Sequence, residues 1–195
     1  MTTTITTEII KTLRDQTGIS VMQCKKALEE TNGDIEKALV VLRKKGGEIA
    51  SKKKDRTLGS GVVQAYIHAT GSVGAVVILA CETDFVAKNE EFSKLAYDIA
   101  MQVTAVNPEY VRSEDVPAAA RETARSVFVK ELEGKPAELQ EKIMEGKLTA
   151  YFKDKILLEQ PFIKNPDVTV QGLIDSAIQK FGEKIEVARF ERFIV

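Results

Sequence analysis

Histidine is nearly absent from this chain: His68 is the single copy among 195 residues. It alternates along one strand face with Gln64 and Tyr66, and no serine or carboxylate is tied to it by spacing. His68 therefore reads as a surface or cross-strand residue, and general acid–base catalysis loses its commonest agent. Cysteine is scarce as well. Cys24 and Cys81 lie far apart and belong to no metal-ligand pattern. Each falls on an apolar face, so both read as free packing thiols in a reducing compartment. The nearest approaches to a glycine-rich loop, Gly59-Ser60-Gly61 and Gly71-Ser72-Val73-Gly74, lack the strand–loop–helix setting and the lysine of a phosphate cradle. No two carboxylates are arranged for acid–base work. No apolar run approaches the ~18 residues of a membrane span. Met1-Thr2-Thr3-Thr4-Ile5-Thr6 has neither the basic start nor the apolar centre of a secretory leader. These absences predict a cytoplasmic, non-enzymatic protein with no cofactor, no metal and no membrane contact.

What is present is the composition of a folded domain: 44% apolar and 29% charged residues. Lys plus Arg (28) nearly balances Asp plus Glu (29), which argues against a dedicated nucleic-acid binder. The balance is uneven along the chain. Residues 1–60 hold 12 basic against 8 acidic side chains, net +4, and the remainder holds 16 against 21, net −5. A basic front on an acidic body predicts a polar contact surface.

Residues 6–46 have the spacing of three short helices. The first carries Ile9, Ile10 and Leu13 and stops at Gly18. Ser20 opens the second, with Gln23 placed to complete a capping box and Val21, Cys24, Ala27 and Leu28 as its apolar positions. Asn32-Gly33-Asp34 turns into the third, lined by Ile35, Ala38, Leu39 and Leu42 and stopped by Gly46-Gly47. A bundle of this size predicts a docking module over residues 1–55, followed by an α+β core over 56–195. Residues 43–56, with seven basic side chains against two acidic, read as a charged connector, either a solvated linker or a helix end. A nucleic-acid patch is the alternative, and the lack of nearby aromatics disfavours it.

From Gly61 the period changes to two. Val63, Ala65 and Ile67 alternate with polar residues as a half-buried strand, Thr70-Gly71-Ser72 turns, and Val73–Ala80 returns as a strand buried on both faces. Asn89 caps a helix with Phe92, Leu95, Ala96, Ile99, Val103 and Val106 on one face, and Pro108 ends it. Beyond the loop to Pro117, Ala124, Val127, Phe128 and Leu132 mark a helix capped by Gly134. Pro136 starts another with Leu139 and Ile143 inward, ending at Gly146, and Leu148, Tyr151 and Phe152 mark a further turn or two. Pro161 keeps its extended stretch off a central strand. Thr169 caps a helix stopped by Gly182, and the terminal strand from Ile185 slips its alternation near Ala188. The expected class is α+β, with antiparallel strands packed against helices.

The most pointed chemistry lies between the second strand and the Asn89 helix, at Thr83-Asp84-Phe85-Val86, where a carboxylate adjoins a large aromatic. On physical grounds Phe85 reads first as a core or helix-entry residue. The alternative is an exposed anchor for a partner.

Two stretches carry a family likeness. Leu13-Arg14-Asp15-Gln16-Thr17-Gly18-Ile19-Ser20-Val21-Met22-Gln23-Cys24-Lys25-Lys26-Ala27-Leu28, continuing through Asn32-Gly33-Asp34-Ile35-Glu36-Lys37-Ala38, resembles the N-terminal signature of the translation elongation factor Ts family. Cys81-Glu82-Thr83-Asp84-Phe85-Val86-Ala87-Lys88 resembles its second signature. Gln160-Pro161-Phe162 and the final strand are similar to its C-terminal part, and the length matches the short form with one core unit. Gln23 and Ala80 depart from the usual pattern, where an acid and an asparagine are common. The resemblance implies a UBA-like N-terminal bundle and a guanine-nucleotide exchange factor that binds elongation factor Tu. It implies that Asp84 and Phe85 intrude on the partner's magnesium site, with Thr83 and Val86 shaping the corner. Val21, Met22 and Lys25 would dock on the GTPase domain, and the C-terminal sheet would pair two copies. No catalytic residue and no direct nucleic-acid contact is implied.

Overall fold

Thr6 and Asp34 each set a side-chain oxygen over the first turn of a helix, accepting from the backbone N–H of Ile9 and of Lys37. The helices so opened are α1 (Thr7–Thr17) and α3 (Ile35–Lys52), with α2 (Val21–Glu30) between them. The computed structural model describes residues 5–129, 132 and 136–195; Met1–Thr4, read above as the start of the chain, and Gly134, read above as a cap, lie outside the described residues. Gly18 ends α1 with φ of +67°, its N–H donating to Arg14 O. Leu13, Ile19, Cys24, Ala27, Leu28, Ala38 and Leu42 close a core between the three helices, with Ile9, Ile10, Ile35 and Leu39 packed around it. Val21, the first apolar position of α2, is exposed.

Two local expectations are corrected. Ser20 occupies the N-cap position but makes no side-chain cap bond. Gln23 does not reach back to it, because its amide oxygen accepts from Gln179 Nε2. Nor do Gly46 and Gly47 stop α3, which runs through them to Lys52. A Cβ on Gly46 would lie 3.2 Å from Gln179 Oε1 and 3.3 Å from the Asp175 backbone oxygen. The glycines are a notch that lets α3 approach the helix carrying those residues. The charged stretch 43–56 is consequently a helix end and a turn, the helix-end alternative of its sequence reading. Lys45 pairs with Glu30, Lys53 Nζ donates to Gly182 O, and Arg56 pairs with Glu82.

The strands β1 (Ser60–Ile67) and β2 (Val73–Cys81) form a hairpin closed by His68 N–H donating to Val73 O. A third strand, β5 (Ile185–Ile194), borders β2, giving the order β1-β2-β5. Val195 N–H donates to Ser72 O, so β5 ends where β2 begins, which makes the pair antiparallel. The expected face of β1 is inverted: Val63 and Ile67 are 62% and 70% exposed, and Gln64 and Tyr66 lie on the covered side. Tyr66 gains an edge-to-face contact with Tyr97, ring centroids 5.5 Å apart, and so hides the larger apolar body. Nor is β2 buried on both faces, since Val77, Leu79 and Cys81 are buried while Ile78 between them is exposed. The covered alternation of β5 slips at Ala188-Arg189, as expected.

After the hairpin come the one-turn helix α4 (Asp84–Ala87) and α5 (Glu90–Val106), with Asn89 Oδ1 accepting from Glu91 N–H at 2.9 Å. Phe92, Ala96, Ile99 and Val103 are buried along α5, whereas Val106 at its end is exposed. A 3₁₀ turn at Ser113–Asp115 leads to α6 (Ala118–Val129) and α7 (Ala137–Lys153). The loop before α6 is pinned, because Tyr110 bridges to Ile156. Gly146 does not end α7, which continues through it as one helix. The buried positions there are Met144, Leu148 and Phe152, four apart, and Leu139, expected inward, is exposed together with Val127 of α6. After a second 3₁₀ turn, β3 (Pro161–Phe162) and β4 (Asn165–Thr169) form a separate two-stranded sheet, and α8 (Val170–Phe181) follows.

By their internal contacts the residues fall into two compact units. One holds residues up to Gln64, Ile78–Ala96 and Gln171–Val187; the other holds Ala65–Val77, Tyr97–Val170 and Ala188–Val195. In the first, Phe92 meets Phe181 edge to face and Lys180 pairs with Glu91. In the second, the fully buried Gln102 donates to Gln160 Oε1 and Pro161 O and accepts from Ile163 N–H. That amide is completely satisfied and ties the β3 segment to α5.

Candidate functional site

The corner begins where β2 runs out. Leu79 and Cys81 are the last inward residues of the strand, and the Cys81 thiol donates to Thr83 O at 3.2 Å. Burial, reinforced by the Glu183 charge, pushes that thiol up from its ordinary value, so it stays protonated and inert. Thr83 is extended (φ −125°, ψ 158°) and occupies the N-cap position of α4. Its carbonyl accepts from Ala87 N–H at 3.2 Å, and the next carbonyl, Asp84 O, accepts from Lys88 N–H at 3.0 Å.

One turn of helix separates its side chains into inward and outward sets. Val86 is 4% exposed and Phe85 is 81% exposed. The ring is neither core nor helix-entry staple, which corrects the first physical reading of Phe85. Asp84 and Lys88 pair across the turn at 2.7 Å. The Lys88 ammonium holds the Asp84 carboxyl below its ordinary range, and the carboxylate raises Lys88 in return. Both side chains are mostly in water, so the pair adds little stability. It keeps a fixed negative charge beside the exposed ring.

Two glutamates, about a hundred residues apart in the chain, brace this turn. Glu183 Oε2 accepts from the backbone N–H of Glu82 at 3.1 Å and of Thr83 at 3.0 Å, and Glu183 Oε1 accepts from Thr83 Oγ1 at 2.6 Å. Glu82 answers across the same gap. Its Oε1 accepts from Lys184 N–H at 2.6 Å and from Arg56 at 3.2 Å. The Lys184 N–H first, and the Arg56 guanidinium after it, hold the Glu82 carboxyl below its ordinary value. Sequence reading missed Glu82 and Glu183. No local pattern marks them, because each partner lies at the far end of the chain.

The second set of expected residues stands on α2. Val21, Met22 and Lys25 are all exposed, Met22 to 63%, and Lys25 pairs only loosely with Glu29 at 3.8 Å. These residues and the Thr83–Val86 corner belong to the same compact unit, on different elements. His68 is exposed and bonded locally to Thr70. Cys24 is buried, and its burial raises the thiol's pKa. Among the described residues no group of three or more His, Cys, Asp or Glu could hold a metal ion, and no helix is long and apolar enough to cross a membrane.

An exposed aromatic on a braced turn, beside an ionised carboxylate, offers a partner an apolar probe and a charge. The comparisons with known proteins agree with the two sequence signatures. The family model for Elongation factor TS matches residues 2–195. Elongation factor Ts of Carboxydothermus hydrogenoformans is 53% identical over 191 residues, covering 97% of this chain and 88% of that protein. The proteins of the same name from Thermodesulfovibrio yellowstonii and Thermotoga maritima are each 47% identical, covering 98% and 97% of this chain and 96% and 95% of their own lengths. With a family model spanning nearly every residue and relatives at about half identity over nearly all of both chains, the chain belongs to the elongation factor Ts family of translation elongation factors.

Proposed function

We propose that the chain promotes guanine-nucleotide exchange on elongation factor Tu in the cytoplasm, acting by binding alone. The observation that carries this reading is the Phe85 ring, 81% exposed on a turn whose next residue, Val86, is 4% exposed. Burying a phenyl ring is worth roughly 1.5–3 kcal/mol. The free protein forgoes that gain, and a partner cleft recovers it. Phe85 enters the GTPase domain of the partner beside the elements that position its magnesium ion, Asp84 accompanies it, and Thr83 and Val86 hold the turn. A bound cation is the largest local charge in a phosphate site, so displacing its supports weakens nucleotide binding without covalent chemistry. Linkage is reciprocal: nucleotide weakens the factor's hold by the same ratio, and entering GTP releases it.

Val21, Met22 and Lys25 make the docking patch of an N-terminal module over residues 1–55, and the core over 56–195 carries the wedge. Within the second unit, Ile67, Phe193 and Ile194 line an exposed apolar groove at the end of the sheet. We assign that surface to pairing of two copies; sedimentation of Phe193→Asp as a lighter species than the parent tests it. Nucleic acid has no part in this reading, since Lys45, Lys53 and Arg56 of the basic stretch are engaged within the fold.

The decisive experiment is release of labelled GDP from purified elongation factor Tu, with and without the chain. Acceleration that saturates with added factor is expected, and an unchanged release rate would remove the reading.

A further inference from the structure

The wedge turn is too short to hold itself. A four-residue helix closes very few hydrogen bonds against the entropy of nucleation, so its pose must be imposed from outside. Two supports are visible. One is Val86, buried beneath the turn. The other is Glu183, whose carboxylate takes two consecutive backbone N–H groups and the Thr83 hydroxyl.

We propose that Glu183 is a positioning residue for exchange, a carboxylate strut that fixes the approach of Asp84 and Phe85 before any partner is met. The proposal rests on the wedge reading above. The donors it engages are the ones that set the direction of the chain. Glu82 N–H and Thr83 N–H belong to the two residues that turn β2 into α4, and accepting both on one oxygen fixes the peptide plane between them. Hydrogen bonds to a charged acceptor are about twice as strong as neutral ones, and the one from the Thr83 hydroxyl, at 2.6 Å, is short. The third bond explains why Thr83, at an N-cap position, makes no cap bond of its own: its hydroxyl donates to Glu183 instead.

The strut is itself anchored. Gly182 adopts φ of +74°, a left-handed turn that stops α8 and releases the chain directly into Glu183. Lys53 Nζ holds the Gly182 carbonyl at 2.7 Å. One residue later, Lys184 N–H donates to Glu82, so residues 82–83 and 183–184 are tied in both directions. A wedge that must displace part of a partner gains from such preorganisation, because a loose turn would spend binding energy on its own ordering.

The test separates positioning from docking and from folding. GDP release from elongation factor Tu is measured against factor concentration for the parent protein, Glu183→Ala, Glu183→Gln and Phe85→Ala. Amide hydrogen exchange at residues 82 and 83 is followed in the free proteins. Glu183→Ala should lower the maximal release rate by about tenfold through lost geometry, with less than about a threefold change in the half-saturating concentration. The two amides should exchange at least about tenfold faster while those of the α2 core keep their protection. Glu183→Gln should recover most of both quantities, since its amide oxygen can accept the two N–H groups and its amino group can meet Thr83 Oγ1 in the reverse sense. If Phe85→Ala slows release while Glu183→Ala keeps the parental maximum, the strut is overturned and the wedge stands. If Phe85→Ala itself releases GDP at the parental rate, the wedge reading falls first and takes the strut's role with it. Should Glu183→Ala not fold, Thr83→Val removes the hydroxyl arm alone. A fall of about threefold in maximal rate supports the strut, and the parental rate overturns it.

Discussion

Phe85 and Val86 are adjacent in the chain and occupy opposite environments, 81% and 4% exposed on the same turn of helix. A three-stranded sheet covered by helices can bury one side of a strand-to-helix corner, and Val86 takes that side. The larger residue is left in water. Sequences dominated by stability arrange such a pair the other way round, because phenylalanine has more to gain from burial. The inversion is what the proposed role of Phe85 in an encounter requires, with Val86 left to the fold.

Phe85→Ala is therefore expected to slow partner GDP release while shifting the protein's own stability by no more than about 0.5 kcal/mol, the usual range for surface changes. Val86→Ala should do the reverse, costing about 1–3 kcal/mol as a buried side chain is truncated. Urea denaturation of the two variants, read beside the exchange assay, distinguishes them. A large stability loss in Phe85→Ala would return the ring to the core.

Lys25→Glu should weaken complex formation with elongation factor Tu, most strongly in dilute salt. The Debye length grows from about 8 Å at physiological ionic strength to about 30 Å at 0.01 M, so a reversed charge is felt further. Titration calorimetry at two salt concentrations measures this. Equal affinities for parent and variant at low salt would remove α2 from the docking surface.

Gly46 and Gly146 make an internal control for helical glycine. Both lie inside helices, and replacing an interior glycine with alanine ordinarily gains about 1 kcal/mol. A methyl group on Gly146 meets nothing within 4 Å, and Gly146→Ala should raise the thermal midpoint. On Gly46 the methyl would press on backbone of α8 at 3.3 Å, which cannot rotate aside. Gly46→Ala should lower the midpoint, and a rise there would show that the α3–α8 approach is looser than described.

The pH dependence of stability contains two opposed contributions. Glu82 has its pKa depressed by the Lys184 N–H first and then by Arg56. It therefore stabilises the fold above its ordinary value of 4.5, and that support is lost as pH falls through the depressed value. Asp175, half-buried on α8, has its pKa raised by burial, and the Gln171 amide opposes the shift only in part. Its contribution is present below the ordinary aspartate value and is lost as pH rises through the raised one. Glu82→Gln should thus be less stable than the parent at pH 7 and Asp175→Asn more stable, each difference fading as pH drops toward 3. Urea midpoints across that range decide it, and a destabilised Asp175→Asn at pH 7 would contradict the burial argument.

The local periods of the chain determined most of the element types. Three-residue and four-residue apolar steps gave the bundle helices, alternation gave the hairpin, and Asn89 and Gly182 marked a start and a stop, because each signal needs only neighbouring residues. The two signatures marked the corner and the family for the same reason. Tertiary structure alone decided which side of β1 is covered, whether Gly46-Gly47 ends a helix or admits another, whether Phe85 is inside, and what braces its turn. Each of those outcomes depends on a partner far along the chain: Tyr97 for Tyr66, Asp175 for Gly46, Glu183 for Thr83. A period in sequence states that two faces differ, and only the packing of distant segments determines which of them meets water.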